Sequence, residues 1–328
     1  MTRWRFKLVF TVAVVVVVMT QAAIGQISEK TYRIGSIDFT PSANSPFSAI
    51  NEAFLQVLRE NDFIEGRNLK VERRYVLGNP ERNAQIADEF VKMKVDVIVA
   101  AGSAATQAAK DATHTIPIVM WGVANPERTG LVASLGRPGG NVTGVSNVGV
   151  DFLQKTFQLV KEALPHVRRI GVVWDPANPG SALAFKDGSA LDRSLGWTTI
   201  SMRVQTAADL DPAFDTALRE GVEVLVLHGT AMIHYARIAK LAAENRLPII
   251  GPHGVAQFGA LMSIGPNVVD QMRRAGLMVV KILRGANPAD LPVEQPSTVY
   301  VEINLKTAKA LGVTIPQSIL LRADRVIE

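Results

Sequence analysis

From residue 32 onward the chain alternates short Val/Ile-rich runs with amphipathic stretches of 12 to 18 residues. Runs with no polar side to turn to water read as parallel strands covered on both faces, and the stretches between them as crossover helices. The expected strands are Tyr32–Asp38, Asn68–Tyr75, Asp96–Ala101, Pro117–Trp121 and Asn141–Ser146, followed by a second series of Arg169–Asp175, Thr198–Val204, Glu223–His228, Pro248–Gly251 and Ala260–Ile264. Helices are expected over Phe47–Glu60, Arg82–Lys94, Ala104–Ala112, Phe152–Ala163, Ala207–Glu220, Ile233–Asn245 and Val268–Leu283, with Gly/Pro/Asn-rich joints at Gly136–Gly140 and Gly285–Pro292.

The two series resemble each other. Arg33-Ile34-Gly35 opens a strand ending at Asp38, and Arg169-Ile170-Gly171 opens one ending at Asp175. Residues Val95 to Ala104 align without gaps against Val222 to Ala231, and Ile116-Pro117-Ile118-Val119 against Leu247-Pro248-Ile249-Ile250, at offsets of 136, 127 and 131 residues. Two copies of one α/β unit follow. The length agrees, because a chain of 328 residues exceeds what one hydrophobic core usually serves.

Ahead of the repeats, Arg3, Arg5 and Lys7 precede an apolar run from Leu8 to Met19 and then small residues around Ala23-Ile24-Gly25. That order predicts a secretory signal peptide over 1–25, the run being too short for a bilayer-spanning helix. Its removal lowers the formal net charge from +5 to +2, leaving 32 basic against 30 acidic residues with no basic block, which argues against a nucleic-acid partner. The chain has no cysteine, so disulfides and lipid attachment are excluded.

Enzyme and metal motifs are also missing. Neither Gly102-Ser103-Ala104-Ala105 nor Gly144-Val145-Ser146-Asn147-Val148-Gly149 is a nucleophile elbow, and Gly136-Arg137-Pro138-Gly139-Gly140 precedes a strand instead of joining strand to helix. His114, His166, His228, His234 and His253 show no i, i+4 pair. The expectation is a binding protein with no catalytic residue, cofactor or metal.

Open parallel sheets bind ligands outside the carboxyl ends of their strands, where helix N-termini also point. The lining is therefore expected from Phe39 to Ser42, Gly102 to Ala104, and Trp121 to Asn125 in the first half. In the second it is expected from Pro176 to Ser181, His228 to Thr230, and Gly251 to His253. Within these loops Phe39, Thr40, Ser103, Ala104, Trp121, Asn125, Asn178, His228, Gly229, Thr230 and His253 are the candidate ligand contacts. Ser103 and Thr230 place a hydroxyl at a helix start, suited either to a carboxylate or to capping their own helices. Phe39 or Trp121 offers a ring platform, although Trp121 equally reads as a core residue.

Several strings resemble the ABC transporter substrate-binding proteins of the tryptophan/tyrosine type, in the type I periplasmic binding protein superfamily. They are Lys94 to Ala100, Gly130 to Leu135 with Arg137 to Gly144, Trp174 to Pro179, Ala289 to Pro292, Asn304 to Lys309, and Arg322 to Asp324. The resemblance implies two Rossmann-like doubly wound lobes joined by hinge crossovers, the first formed by 28–146 plus about 260–297 and the second by 147–259 plus about 298–328. It also implies a small-molecule ligand between the lobes, an inner-membrane permease as partner, a periplasmic location and a monomer. The chain departs from the family at Asn125 and Gly229, where acidic residues are common, and at Ile264, where Tyr is common. The ligand class therefore extends from amino acids to aromatic or aliphatic carboxylates. A sensor subunit serving a signalling kinase and a hydrolase or isomerase on the same fold are the alternatives.

Overall fold

The computed structural model describes residues 30–38, 48–77, 79, 81–147 and 150–328; the expected signal peptide lies outside them. Element order is β1 (Tyr32–Asp38), α1 (Ser48–Glu60), β2 (Leu69–Tyr75), α2 (Arg82–Lys92), β3 (Val97–Ala101), α3 (Gly102–Ala112), β4 (Ile118–Val123) and β5 (Val142–Ser146). The second unit runs α4 (Val150–Ala163), β6 (Arg169–Trp174), α5 (Pro179–Ser189), α6 (Asp192–Leu195), β7 (Thr198–Arg203), α7 (Leu210–Arg219), β8 (Val224–Leu227), α8 (Tyr235–Glu244), β9 (Ile249–Gly251) and β10 (Met262–Gly265). After it come α9 (Val268–Leu283), β11 (Tyr300–Asn304), α10 (Leu305–Leu311), α11 (Gln317–Leu320) and β12 (Arg325–Ile327).

The sheets carry the repeat. The first has the order β2-β1-β3-β4-β5, and the second contains the same order as β7-β6-β8-β9-β10, extended by β11 and β12. All pairings are parallel except β10 with β11. In each unit the carboxylate that begins the third strand holds the start of the first. Asp96 accepts from the Arg33 N–H at 2.8 Å, and Glu223 accepts from the Arg168 and Arg169 N–H groups at 2.7 and 2.8 Å. The paired glycines have one cause too: a Cβ on Gly35 would lie 2.6 Å from the Phe90 ring, and one on Gly171 2.7 Å from the Met202 sulfur. Only glycine lets these side chains pack so near the strand.

Each sheet is covered on both faces. In the first lobe Phe54, Leu58, Met272 and Val279 pack against Ile34, Val99 and Trp121 on one side, and Phe90 and Ala109 against Ile37, Ile98 and Met120 on the other. The chain passes between the sheets three times: from β5 to α4, from β10 to α9, and from Glu294, bridged to Val145, to β11.

Two expectations change. The first-lobe segment expected from about 260 begins too early, because β10 pairs with β9 and β11 and so belongs to the second sheet. Its helix α9 packs in the first lobe. The loop expected over Pro176–Ser181 is already helical from Pro179 onward. Two glycines and a weak apolar stripe hide α5 from a periodicity argument.

Candidate functional site

The strand exits of the two lobes meet where α3 and α5 begin. Helix α3 starts at Gly102 behind Ala101, and no side chain caps it, so its first N–H groups await an acceptor. Ser103, its second residue, is 4% exposed and lies against the backbone of Gly180 in the other lobe, with Asn178 adjoining. Asn178 is itself buried, and its side-chain oxygen accepts from the Ser181 N–H at 3.2 Å, capping α5. Ser181 Oγ accepts from the Asp175 N–H at 3.1 Å, and an Asp175 oxygen accepts from the Ala177 N–H at 2.8 Å. This loop is therefore held rigid by its own hydrogen bonds. Ala104 is half-buried and lines a groove of about 390 Å³ beside α3 that Ala177 and Pro179 of the second lobe wall off.

The remaining candidates divide. Trp121 is 5% exposed and belongs to the first lobe's core, the core alternative of its two readings. Asn125 turns the chain after β4 with φ at +49°, and its carbonyl accepts from both the Thr129 N–H and its hydroxyl at 3.1 Å. His228 directly follows β8; its Nε2 is buried without a hydrogen-bond partner, and burial pushes the imidazole down to about 4. His253 also has a buried nitrogen without a partner, Nδ1. Its Nε2 stands 4.0 Å from Glu302, and its ring packs 5.3 Å from Tyr300 at the start of the third crossover's strand. Burial lowers its pKa, partly offset by Glu302 and Asp324. Gly229 and Thr230 open a 3-10 helix at the β8 exit. Phe39 and Thr40 lie outside the described residues.

Sequence reasoning missed two polar groups at the same end of the lobes. Asp38, the last residue of β1, is 6% exposed and accepts from Ser36 Oγ at 2.9 Å. Burial pushes its carboxyl up to about 6 against the opposing effects of Ser36 and Arg73. Gln271 lies in the first turn of α9, 1% exposed, with both amide atoms lacking partners. Its signal was legible as a lone polar residue on the helix's apolar stripe. Among the described residues no group of His, Cys, Asp or Glu could hold a metal, and no helix is long and apolar enough to cross a membrane.

Comparison with known proteins fits this geometry. The chain belongs to the ABC transporter substrate binding protein family, whose pattern matches residues 43–327; these are binding proteins, not enzymes. It is 29% identical to a tyrosine-binding protein of Clostridioides difficile over 264 residues, 79% of this chain and 75% of that one. It superposes on an ABC domain in complex with L-Trp from Streptococcus pneumoniae with a TM-score of 0.82 at 26% identity, covering 91% of this chain and all of that one. The ligand-free, open structure of a substrate binding protein with adhesive properties from Clostridium difficile gives only 0.61 at the same 26% identity, covering 90% of this chain and 99% of that one.

Proposed function

We propose that this chain captures a small carboxylate-bearing molecule, an aromatic amino acid first among the candidates, in the cleft between its lobes. The protein is exported by its N-terminal signal, works in the periplasm, and delivers the ligand to an inner-membrane permease. The observation that carries this reading is the uncapped N-terminus of α3, with Ser103 buried at the meeting of the two lobes. Free N–H groups and a hydroxyl at a helix start suit a carboxylate, and the helix dipole adds to the attraction.

An amino acid also needs an acceptor for its ammonium group. Asn125 and Gly229 supply no charge, but Asp38 stands at the end of β1 and is costly to ionise where it is. A ligand ammonium beside it would stabilise the carboxylate. His228 and Gln271 bring polar atoms that lack a protein partner, and a buried group of this kind favours whatever ligand atom satisfies it. The tyrosine and L-Trp named for two relatives support an aromatic amino acid as the first candidate, with Phe39 as the candidate ring platform. Binding in the micromolar range requires about 8 kcal/mol, within reach of a few charge-assisted hydrogen bonds and one packed ring.

Titration calorimetry of the mature protein with L-tyrosine, L-tryptophan, L-phenylalanine, aromatic acids and aliphatic dicarboxylates tests the reading. One-to-one binding with intact ligand recovered supports it. Absence of heat and of any melting-point shift across the panel removes the ligand assignment.

A further inference from the structure

Beyond the cleft, a second contact spans the lobes. Arg128, in the loop after β4, makes a forked ion pair with Asp187 on α5, at 2.5 and 3.1 Å. Its loop is braced from behind: Lys110 Nζ donates to the carbonyls of Gly130 at 2.5 Å and Leu131 at 3.2 Å, and Glu127 accepts from the Leu135 N–H at 2.8 Å. Asp187 is the more enclosed partner, its side chain 15% exposed against 45% for Arg128. Helix α5 is therefore held at two places, Gly180 against Ser103 near its start and Asp187 against Arg128 two turns further on.

We propose that Arg128 and Asp187 form a latch that sets ligand affinity by holding the lobes together. This rests on the reading that the ligand is bound between closing lobes. Neither side chain is placed among the ligand contacts, so both are positioning residues. They act on the fraction of molecules in the closed state, and apparent affinity scales with that fraction. The latch forms only after the lobes meet, so it slows ligand release and leaves capture unchanged. A bidentate pair between flexible lobes at the solvent edge contributes up to about fivefold to such an equilibrium and weakens with salt.

The test uses the mature protein and L-tyrosine or L-tryptophan, with affinity from calorimetry and rates from stopped-flow fluorescence. R128A and D187A are expected to raise Kd about threefold to fivefold through faster release, without altering the association rate or the ligand-free melting point. R128D and D187R, which set like charges together, should weaken binding further, and the exchanged pair R128D/D187R should recover to within about twofold of the wild type. Raising the salt concentration should weaken wild-type binding more than that of R128A. If the wild type binds and the single variants match it, or the exchanged pair is no better than either reversal, the latch is overturned while the ligand reading stands. If the wild type binds neither amino acid, the ligand reading fails first, and small-angle scattering of ligand-free protein decides the latch. R128D should then be more expanded than wild type; equal radii overturn it.

Discussion

Ser103 of the first lobe lies so closely against Gly180 of the second that any side chain at 180 would strike the Ser103 hydroxyl. Gly180 sits in the first turn of α5 without a positive φ, so alanine fits its backbone. Gly180→Ala should therefore keep or raise the ligand-free melting point, since alanine favours a helix by up to about 1 kcal/mol over glycine. The added methyl props the lobes apart, and ligand affinity should fall about tenfold or more. Calorimetry and thermal unfolding on the same samples separate the two effects, and wild-type affinity would show that this contact is not part of the bound state.

Ser103→Ala removes the hydroxyl but keeps the helix start and its N–H groups. Loss of one hydrogen bond to a charged group is worth about 1.5–3 kcal/mol, so affinity for a carboxylate ligand should fall at least tenfold with stability unchanged. Thr230→Ala tests the matching exit in the second lobe. Full affinity in both variants would remove the carboxylate model.

Asp96 and Glu223 hold the first strand of their own lobes by accepting its N–H groups. Asp96→Ala and Glu223→Ala should each cost about 1–2 kcal/mol. The two sites lie in different lobes and share no partner, so the double variant should be additive within about 0.5 kcal/mol. Urea unfolding reads this directly, and a double variant no less stable than either single one would contradict the equivalence.

How much of this could be read from the chain depends on the range of the interaction. The gap-free match of Val95–Ala104 to Val222–Ala231 carries Asp96 onto Glu223, and Arg33-Ile34-Gly35 onto Arg169-Ile170-Gly171, because each string answers to contacts inside one lobe. Buried parallel strands announce themselves by continuous apolar runs, and most strand ends fell within two residues of expectation. Helix α5 escaped because Pro179-Gly180-Ser181 looks like a turn, although proline is at home in a helix's first turn. The Arg128–Asp187 pair had no signature at all: 59 residues separate its members, and no spacing rule joins two lobes. Ser103 and His228 stand at strand exits, as the order of elements implies, whereas Asp38 carries no such mark, since a carboxylate ending a strand looks like an ordinary solvated residue until its burial is known.

Two groups that desolvation shifts in opposite directions should shape the pH dependence of stability. His228 falls from 6.5 to about 4 in the folded state. Between those values the unfolded chain binds more protons, so this group makes stability rise with pH. Asp38 moves from 3.8 up to about 6; here the folded state holds the proton more tightly, and stability falls as pH rises through the same window. Each shift corresponds to an effect on the order of 3 kcal/mol, and in the wild type the two largely cancel between about pH 4 and 6. Asp38→Asn should expose the histidine's contribution, giving a ligand-free protein whose stability relative to wild type grows from pH 4 to pH 6. His228→Gln should do the reverse, its relative stability declining over that range. Urea unfolding of the three proteins at matched pH reports these differences with the other titrating groups held in common. Parallel curves for wild type and both variants would mean that neither group is ionised differently by folding.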